Sequence, residues 1–323
     1  MRRFCYTGFI LLLASCAPNF SERSAFVFGT ICRIQIYESG KEFVFDKLFK
    51  RMTELDEIFS ANREDSILYD INKNAAAGEL PLPPELAVVL SRALDFAALS
   101  ADKNGRAAFD PSIGVLVKIW NIGTKQERIP TKEQIKAALA LVDWRAVELN
   151  KSSGTVKFGM EGMSLDLGAI AKGYAADEAV QILRENGVKC ALVDFGGNIY
   201  ALGKKRDGSA WKIGVQNPNA ERGEYVEVVE VTDSSVVTSG NYERFFEEDG
   251  IRYHHILSTE TGFPVYNGIV SVTVIAKNSM DADALSTSLF ALGFERGVSL
   301  LKTVKDAKAI FIFEDGKIVK TGE

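Results

Sequence analysis

The 323-residue sequence has few of the residue patterns that identify a class of protein directly, such as paired cysteines or glycine-rich motifs. It has four cysteines and no CxxC pair, so neither a disulfide framework nor a zinc site is indicated. Cys32 and Cys190 lie far apart, and the sequence leaves open whether they pair or stay free. Internal repeats, low-complexity tracts and the glycine fingerprint of a dinucleotide fold are also missing, and the last absence argues against a redox enzyme built on that fold.

The apolar run near the N-terminus is too short to be a permanent membrane span. Arg2 and Arg3 precede it and small residues end it, which is typical of a secretory signal. The segment Leu13-Ala14-Ser15-Cys16 is similar to a bacterial lipobox, and this favours a lipid on Cys16 over an ordinary signal peptide. We therefore expect a signal peptide at residues 1–15, a lipid-anchored tether at 16–24 and a folded domain at 25–323.

Composition is that of a globular domain, with 46% hydrophobic and 25% charged residues. The formal net charge is −5, and it becomes −7 when Arg2 and Arg3 leave with the signal. An acidic protein attracts no phosphate backbone, so we expect no nucleic-acid partner.

The pattern of apolar residues predicts an α+β fold with mostly antiparallel sheets and packed helices. Helices are predicted at residues 43–59, 84–101, 131–141, 171–186, 282–292 and 295–302. Thr131 is a predicted N-cap and Gly187 a predicted C-cap residue. Strands are predicted at residues 31–37, 189–194, 211–216, 225–231, 235–238, 253–257, 270–275, 309–313 and 317–320.

Asp283 and Thr287 lie four residues apart in a predicted helix, so they share one face of it. A carboxylate and a hydroxyl together are hard oxygen donors of the kind that Mg²⁺ prefers. The alternative is that both residues cap the helix or face water.

The segment from Asp166 to Lys172 joins a short apolar run to the start of a predicted helix. Free N–H groups at such a helix start favour phosphate, and Lys172 adds a positive charge. The alternative is an ordinary helix start with a solvated lysine.

Four further segments contain unusual residues: 107–114 with an Asp-Pro turn, 194–198 with Gly-Gly, 238–244 beginning Thr-Ser-Gly, and 254–257 with both histidines. Each has an ordinary explanation as a turn, a bulge or a structural histidine pair. Together and in this order, the motifs resemble the ApbE family of FAD:protein FMN transferases. The motifs that carry the resemblance are residues 166–173, 238–240, 261–262 and 283–287, and the resemblance extends from about Phe28 to the last strands.

The resemblance implies an ApbE-like, T-fold-like architecture of two lobes with the FAD site between them. It implies Mg²⁺ held by the side chains of Asp283 and Thr287 and by the backbone carbonyl of Ala169. Asp283 and His255 are the implied catalytic residues, with His255 assisting proton removal from the attacking hydroxyl. The implied contacts with FAD are Phe28, Asn62, Ala108, Phe109, Asp110, Asp166, Lys172 and Leu257.

The implied activity is Mg²⁺-dependent transfer of FMN from FAD to a Thr or Ser hydroxyl of an acceptor protein, with release of AMP. The implied acceptor is a membrane redox subunit with a Thr/Ser flavinylation motif. Because members of the family are usually periplasmic or surface lipoproteins, we expect a bacterial inner-membrane lipoprotein that faces the periplasm and is held by the lipid on Cys16.

Two departures from the family pattern are visible. Asn62 stands about where the family has an aromatic residue that stacks in the FAD site, and Ser258-Thr259 stands where Asp-Pro is common. Loss of stacking would loosen FAD and admit water, so Mg²⁺-dependent FAD pyrophosphatase activity is the main alternative, alone or beside transfer. A non-enzymatic FAD-binding lipoprotein is a third alternative, although Asp283, Thr287 and Lys172 argue against it.

Overall fold

A computed structural model describes residues 20–221 and 223–322. The predicted signal peptide, the predicted lipidation site Cys16 and the first part of the predicted tether lie outside these residues. Among the helices of the described residues, none is long and apolar enough to cross a membrane.

The structure is α+β, as the sequence pattern predicts. The strands are β1 (Ser21–Val27), β2 (Thr30–Ile36), β3 (Leu80–Pro81), β4 (Val147–Asn150), β5 (Thr155–Phe158), β6 (Ala191–Phe195), β7 (Asn198–Leu202), β8 (Trp211–Gln216), β9 (Tyr225–Val231), β10 (Ser234–Gly240), β11 (Phe245–Glu248), β12 (Ile251–His254), β13 (Ile269–Ala276), β14 (Lys308–Phe313) and β15 (Ile318–Thr321). The helices are α1 (Val44–Phe59), α2 (Ile67–Lys73), α3 (Pro84–Ser100), α4 (Gly114–Trp120), α5 (Lys132–Leu139), α6 (Ala171–Glu185), α7 (Ser279–Leu292) and α8 (Phe294–Leu301).

Eight strands form one antiparallel sheet in the order β1-β2-β6-β7-β10-β13-β14-β15. Smaller antiparallel sheets join β3, β5 and β4, then β8 and β9, then β11 and β12. Alternating side chains of β2 and β6, including Ile34 and Val193, enter the main core with those of α1 and α6. On the opposite face, Trp211 and Ile213 of the β8–β9 hairpin cover the sheet.

A separate apolar cluster forms around Trp120, where α4, α5 and the β11–β12 hairpin meet. Leu257 belongs to this cluster, whereas Phe28 and Phe109 pack against the main core. The predicted flavin-contacting residues are therefore distributed over two apolar clusters.

Most predicted helices and strands are present, and the differences lie at boundaries that are set by tertiary contacts. Residues 21–24, assigned to the tether, belong to β1, because their backbone groups pair with β2. The strand predicted at 253–257 ends at His254, since Leu257 makes only an isolated bridge with Pro264. Thr131 caps α5, as predicted, and the structure adds that it does so in a capping box with Gln134.

Cys32 and Cys190 are both buried and free. Cys32 lies in β2 opposite Phe195, at the far end of β6 from Cys190, so pairing would require the sheet to break. Burial raises the pKa of the Cys32 thiol to about 12. The question that the sequence left open is thus answered in favour of two free thiols.

Candidate active site

The site is built where α6 crosses α7, and Gly173 permits the close approach. A Cβ atom on Gly173 would lie 2.3 Å from the carbonyl oxygen of Ser279. At the start of α7, Asp177 of α6 accepts the N–H groups of Ser279 and Met280 at 2.9 Å each. Burial raises the pKa of Asp177 to about 6, against these two hydrogen bonds. The two helices are therefore fixed to each other beside the predicted metal ligands.

Asp283 points from α7 to the first turn of α6 and is 3% exposed. Its Oδ2 accepts the N–H of Gly173 at 2.9 Å, and its Oδ1 lies 3.7 Å from Nζ of Lys172. Burial raises the pKa of Asp283, while Lys172 and the Gly173 N–H favour the ionised form. A buried carboxylate with one nearby cation is suited to a divalent ion.

Thr287 lies one turn further along α7 and joins a cluster of hydroxyls. The Oγ of Ser239, at the end of β10, lies 3.0 Å from Thr287 Oγ1 and 2.8 Å from Ser286 Oγ. Ser286 in turn donates to the carbonyl oxygen of Asp283 at 2.9 Å. The role of Ser239 was missed, although its Thr-Ser-Gly motif was noticed, because its contact joins a strand to a helix 48 residues away.

The loop before α6 carries Asp166 and brings Lys172 back over it. Asp166 Oδ1 accepts the N–H of Gly168 at 2.8 Å, and Lys172 Nζ donates to the Gly168 carbonyl at 2.8 Å. Burial raises the pKa of Asp166, opposed by the Gly168 N–H, Lys172 and Arg244. Ala169 lies in this turn. In a longer helix the N–H of Gly173 would donate to the Ala169 carbonyl, but here it donates to Asp283 instead.

Phe28 lies in the tight turn between β1 and β2, in the left-handed conformation with φ of 55°. Its N–H donates to Asp56 Oδ1 at 3.1 Å, which offsets the unfavourable backbone conformation. Gly29 follows, and its carbonyl accepts from Arg244 Nη2 at 3.4 Å. The turn thus brings Phe28 to the same region as Arg244.

His255 is held by the backbone of Arg244. Its Nδ1 lies 3.2 Å from the Arg244 carbonyl oxygen, which can only accept, so the proton is on Nδ1 and Nε2 is left with a lone pair. Although the His255 side chain is exposed, the protein packed around its ring, and then the charge of Arg244, lower its pKa, so the ring is neutral at pH 7. His254 is fully buried, donates from Nε2 to the Val265 carbonyl at 2.9 Å and is structural.

Arg244 was missed at the sequence level. It faces His255 because β11 and β12 form a hairpin in which Phe245 pairs with His254. The turn of this hairpin is Asp249-Gly250, with φ of 52° and 75°. An Asp-Gly pair between two short segments rich in aromatic and β-branched residues is a known hairpin signal, and it could have predicted this register.

In the 108–110 loop, the predicted FAD-contacting side chains of Phe109 and Asp110 make contacts within the protein. Both oxygens of Asp110 are used by the protein itself, since Oδ1 accepts from Ser112 and Oδ2 from the Trp144 N–H at 3.1 Å. Phe109 is buried against Phe96, with ring centroids 6.1 Å apart. Burial raises the pKa of Asp110. The side chains of this loop therefore shape it, and any flavin contact would come from its backbone and from the half-buried Ala108.

Asn62 is exposed on the connection between α1 and α2. The next residue, Arg63, donates to Asp56 Oδ2 at 2.7 Å, and the other oxygen of Asp56 holds the Phe28 N–H. Asn62 is therefore linked through two hydrogen-bonded residues to the Phe28 turn.

The donor set fits a hard divalent cation. It comprises three kinds of oxygen: the Asp283 carboxylate beside the first turn of α6, the Ala169 carbonyl in the turn before α6, and the Thr287 hydroxyl one turn along α7 from Asp283. Across residues 20–221 and 223–322, no group of three or more His, Cys, Asp and Glu side chains is placed to hold a metal. The site is thus unlike a zinc centre, and a cation here would need further oxygens from a ligand such as a phosphate.

Fold and site together define an α+β protein in which Lys172 and the buried carboxylate of Asp283 meet at the start of α6. The neutral His255 follows β12 and is held by the Arg244 backbone. The family model described as the ApbE family matches residues 28–311, and the chain belongs to this family. It is 41% identical over 313 residues to an FAD:protein FMN transferase of Treponema pallidum, covering 92% of this chain and 85% of that one. It is 37% identical to one of Klebsiella pneumoniae, covering 92% and 90%.

Solved structures agree with this assignment. The crystal structure of the ApbE protein of Thermotoga maritima superimposes with a TM-score of 0.84 at 32% identity, covering 94% of this chain and 97% of that one. The flavin transferase ApbE of Vibrio cholerae gives 0.81 at 27% identity, with the same coverage. The resemblance inferred from the sequence motifs is confirmed.

Proposed function

We propose that this protein is an enzyme that transfers FMN from FAD to a Thr or Ser hydroxyl of an acceptor protein and releases AMP. The observation that carries the proposal is the convergence of Lys172, Asp283 and the Gly173 N–H at the start of α6, in the segment where the family motif falls. Membership of a family whose relatives are named FAD:protein FMN transferases supports it.

The residues that would hold Mg²⁺ are Asp283, Thr287 and, through its carbonyl, Ala169. When bound, Mg²⁺ neutralises phosphate charge and stabilises a leaving phosphate oxygen. The chain's own part is to place these donors rigidly. The Gly173 N–H and the Ser239 hydroxyl do so, by holding Asp283 and Thr287 in position.

The reaction forms one P–O bond and breaks another. The acceptor hydroxyl oxygen attacks the FMN-side phosphorus of FAD, and the bond to the AMP phosphate breaks, so that AMP leaves with the bond's electron pair. His255, neutral and with Nε2 free to accept, takes the hydroxyl proton. Lys172 and Arg244 supply positive charge beside the pyrophosphate, and positioning and charge stabilisation account for most of the rate in such transfers.

The residues proposed to line the flavin pocket are Phe28, the 108–110 loop and Leu257. Asp166 and Lys172 are proposed to contact FAD, and Asn62 stands at the edge of its site. Phe28 is the best supported of these, since its strained turn is held on one side by Asp56 and on the other by Arg244 through Gly29. Strain of this kind persists where the surrounding structure fixes it, which is common at ligand sites.

The test is FAD turnover by the purified protein with an acceptor domain, in Mg²⁺ or EDTA, with free FMN and acceptor-bound FMN measured separately. Mg²⁺-dependent labelling of the acceptor is the expected result. Bound but intact FAD under every condition would refute the proposal and favour a flavin-binding protein.

Mg²⁺-dependent hydrolysis of FAD to FMN and AMP is a second candidate function. Asn62 favours it, because an exposed amide at the edge of the site gives no aromatic surface to stack on the flavin or to exclude water. In the same assay, free FMN without labelling would make the protein chiefly a pyrophosphatase.

The protein's location is part of the proposal. A lipid on Cys16 would hold the domain at the periplasmic face of the inner membrane, where an acceptor that is a membrane redox subunit would be within reach. Mass spectrometry of the N-terminal peptide from membrane fractions would test the lipid directly.

A further inference from the structure

The two ends of the β1–β2 hairpin differ in chemistry. One end is the Phe28 turn at the site. At the other end, where the chain enters from the predicted lipidation site, the Phe20 ring lies 5.0 Å from that of Tyr37, and Tyr37 lies 4.9 Å from Trp211. Trp211 is buried, whereas Phe20 and Tyr37 are partly exposed, and aromatic residues are enriched at membrane–water interfaces.

Basic residues surround this aromatic group. Arg206 donates from Nε to the Tyr37 carbonyl, and Lys205 Nζ lies 6.0 Å above the Trp211 ring. Lys204 is exposed on the same loop. These contacts fix the Lys204–Arg206 loop beside the entry point of the chain.

The loop before α1 lies on the same side, because Ser21 Oγ donates to Glu42 at 2.8 Å. Its neighbours are Lys41, which donates to the Asn186 carbonyl, and Phe43, whose side chain is 63% exposed. An exposed phenylalanine between charged residues is suited to the boundary between headgroups and acyl chains.

The charge at this end is opposite to that of the whole protein. Residues 37–43, 189 and 203–209 contain five Lys or Arg and three Asp or Glu, in a chain whose net charge is −5. The three carboxylates are engaged locally: Glu38 accepts the Lys189 and Cys190 N–H groups, Glu42 accepts from Ser21, and Asp207 accepts from Ser209. The carboxylates and the cations all keep their charge, so this end of the domain carries a net charge of +2.

We propose that this tether-side surface, defined as Phe20, Lys41, Phe43, Lys204, Lys205 and Arg206, lies against an anionic lipid headgroup layer. The inference rests on the proposed lipid anchor at Cys16. Only three residues lie between Cys16 and Phe20, so the four residue steps of chain keep Phe20 within about 14 Å of the anchor. A lipid chain together with a basic surface makes a firmer attachment than either alone.

The test uses the full-length protein purified from membranes and reconstituted in phosphatidylcholine vesicles with or without phosphatidylglycerol. Lysine acetylation is followed by mass spectrometry. We expect Lys41, Lys204 and Lys205 to react about fivefold more slowly in the anionic vesicles, and high salt to remove the difference. The N-terminal peptide from the same digest shows whether Cys16 carries lipid.

A variant with Lys204→Glu, Lys205→Glu and Arg206→Glu should lose the protection at Lys41. A control with the same change of charge, Lys125→Glu, Lys132→Glu and Lys136→Glu, should keep it. Equal reactivity of Lys41, Lys204 and Lys205 in both kinds of vesicle would overturn the proposal, as would a Cys16 without lipid. The footprint needs no FAD turnover, so its failure is distinct from a failure of the proposed reaction.

Discussion

The main-chain N–H of Gly173 donates to Oδ2 of Asp283 at 2.9 Å, and the same glycine has no room for a side chain. One residue thus sets both the distance between α6 and α7 and the position of the buried carboxylate.

Gly173→Ala is expected to push the two helices apart. A Cβ at 2.3 Å from a backbone oxygen cannot be relieved by a rotamer change, so we expect a loss of about 1–3 kcal/mol in the free energy of unfolding. FMN transfer should fall more than tenfold, since a displacement of about 1 Å at Asp283 can lower the rate by up to about 100-fold. Urea unfolding and acceptor labelling measure the two effects. Gly297→Ala in α8, where the Cβ would lie 3.2 Å from Leu289 O, is a milder control away from the site.

Lys172→Met should weaken FAD binding about tenfold, because it removes the α6 cation that lies 3.7 Å from Asp283 and donates to the Gly168 carbonyl in the Asp166 loop. Lys172→Arg should restore only part of it, since the guanidinium cannot reproduce the single bond to the Gly168 carbonyl. Flavin fluorescence titration gives both constants. Equal FAD affinity of Lys172→Met and the parent protein would remove Lys172 from the binding site.

Ser239→Ala is expected to raise the Mg²⁺ concentration needed for half-maximal activity by about three- to tenfold, because Thr287 loses the hydroxyl that orients it. The rate at saturating Mg²⁺ should change less. Ser288→Ala, which removes a hydroxyl bonded to the α7 backbone, is the matched control and should leave the Mg²⁺ dependence unchanged. Identical titration curves for Ser239→Ala and the parent would show that Ser239 does not position the ligand.

Asn62→Tyr should lower the ratio of free FMN to acceptor-bound FMN severalfold, because an aromatic ring adds about 1 kcal/mol of stacking and excludes water. Both products are quantified in one reaction by chromatography and in-gel fluorescence. Asn62→Ala, which adds no ring, is the control. Unchanged hydrolysis in Asn62→Tyr would refute the role given to this position.

His254 makes the fold sensitive to acid. Its pKa is lowered to about 4, chiefly by burial, whereas an unfolded histidine has a pKa near 6.5. The unfolded state therefore binds more protons than the folded state between these pH values. The free energy of unfolding is highest above pH 6.5 and decreases as the pH drops toward 4, by about 2 kcal/mol between pH 7 and 5. Urea unfolding at several pH values should show a flatter profile for His254→Gln. A profile of the same slope would assign the acid sensitivity to other groups.

The sequence alone was sufficient to predict the features that depend on residues close together in the chain. The i, i+4 placement of Asp283 and Thr287, the capping of α5 by Thr131 and the helix start after Asp166 depend on neighbours within one or two turns. The contacts of Ser239 with α7 and of Asp177 with Ser279 join distant segments, and no local pattern specifies them. Asp110 shows the same limit: its motif was recognised, but only the structure shows that its carboxylate is used by Ser112 and Trp144.

The two buried thiols have a consequence for how the protein matures. Cys32 and Cys190 lie too far apart along β2 and β6 to be joined, and the raised pKa of Cys32 keeps it from forming the reactive thiolate. The domain can therefore complete its folding in an oxidising compartment without an oxidase or an isomerase, and reductant should leave its stability unchanged.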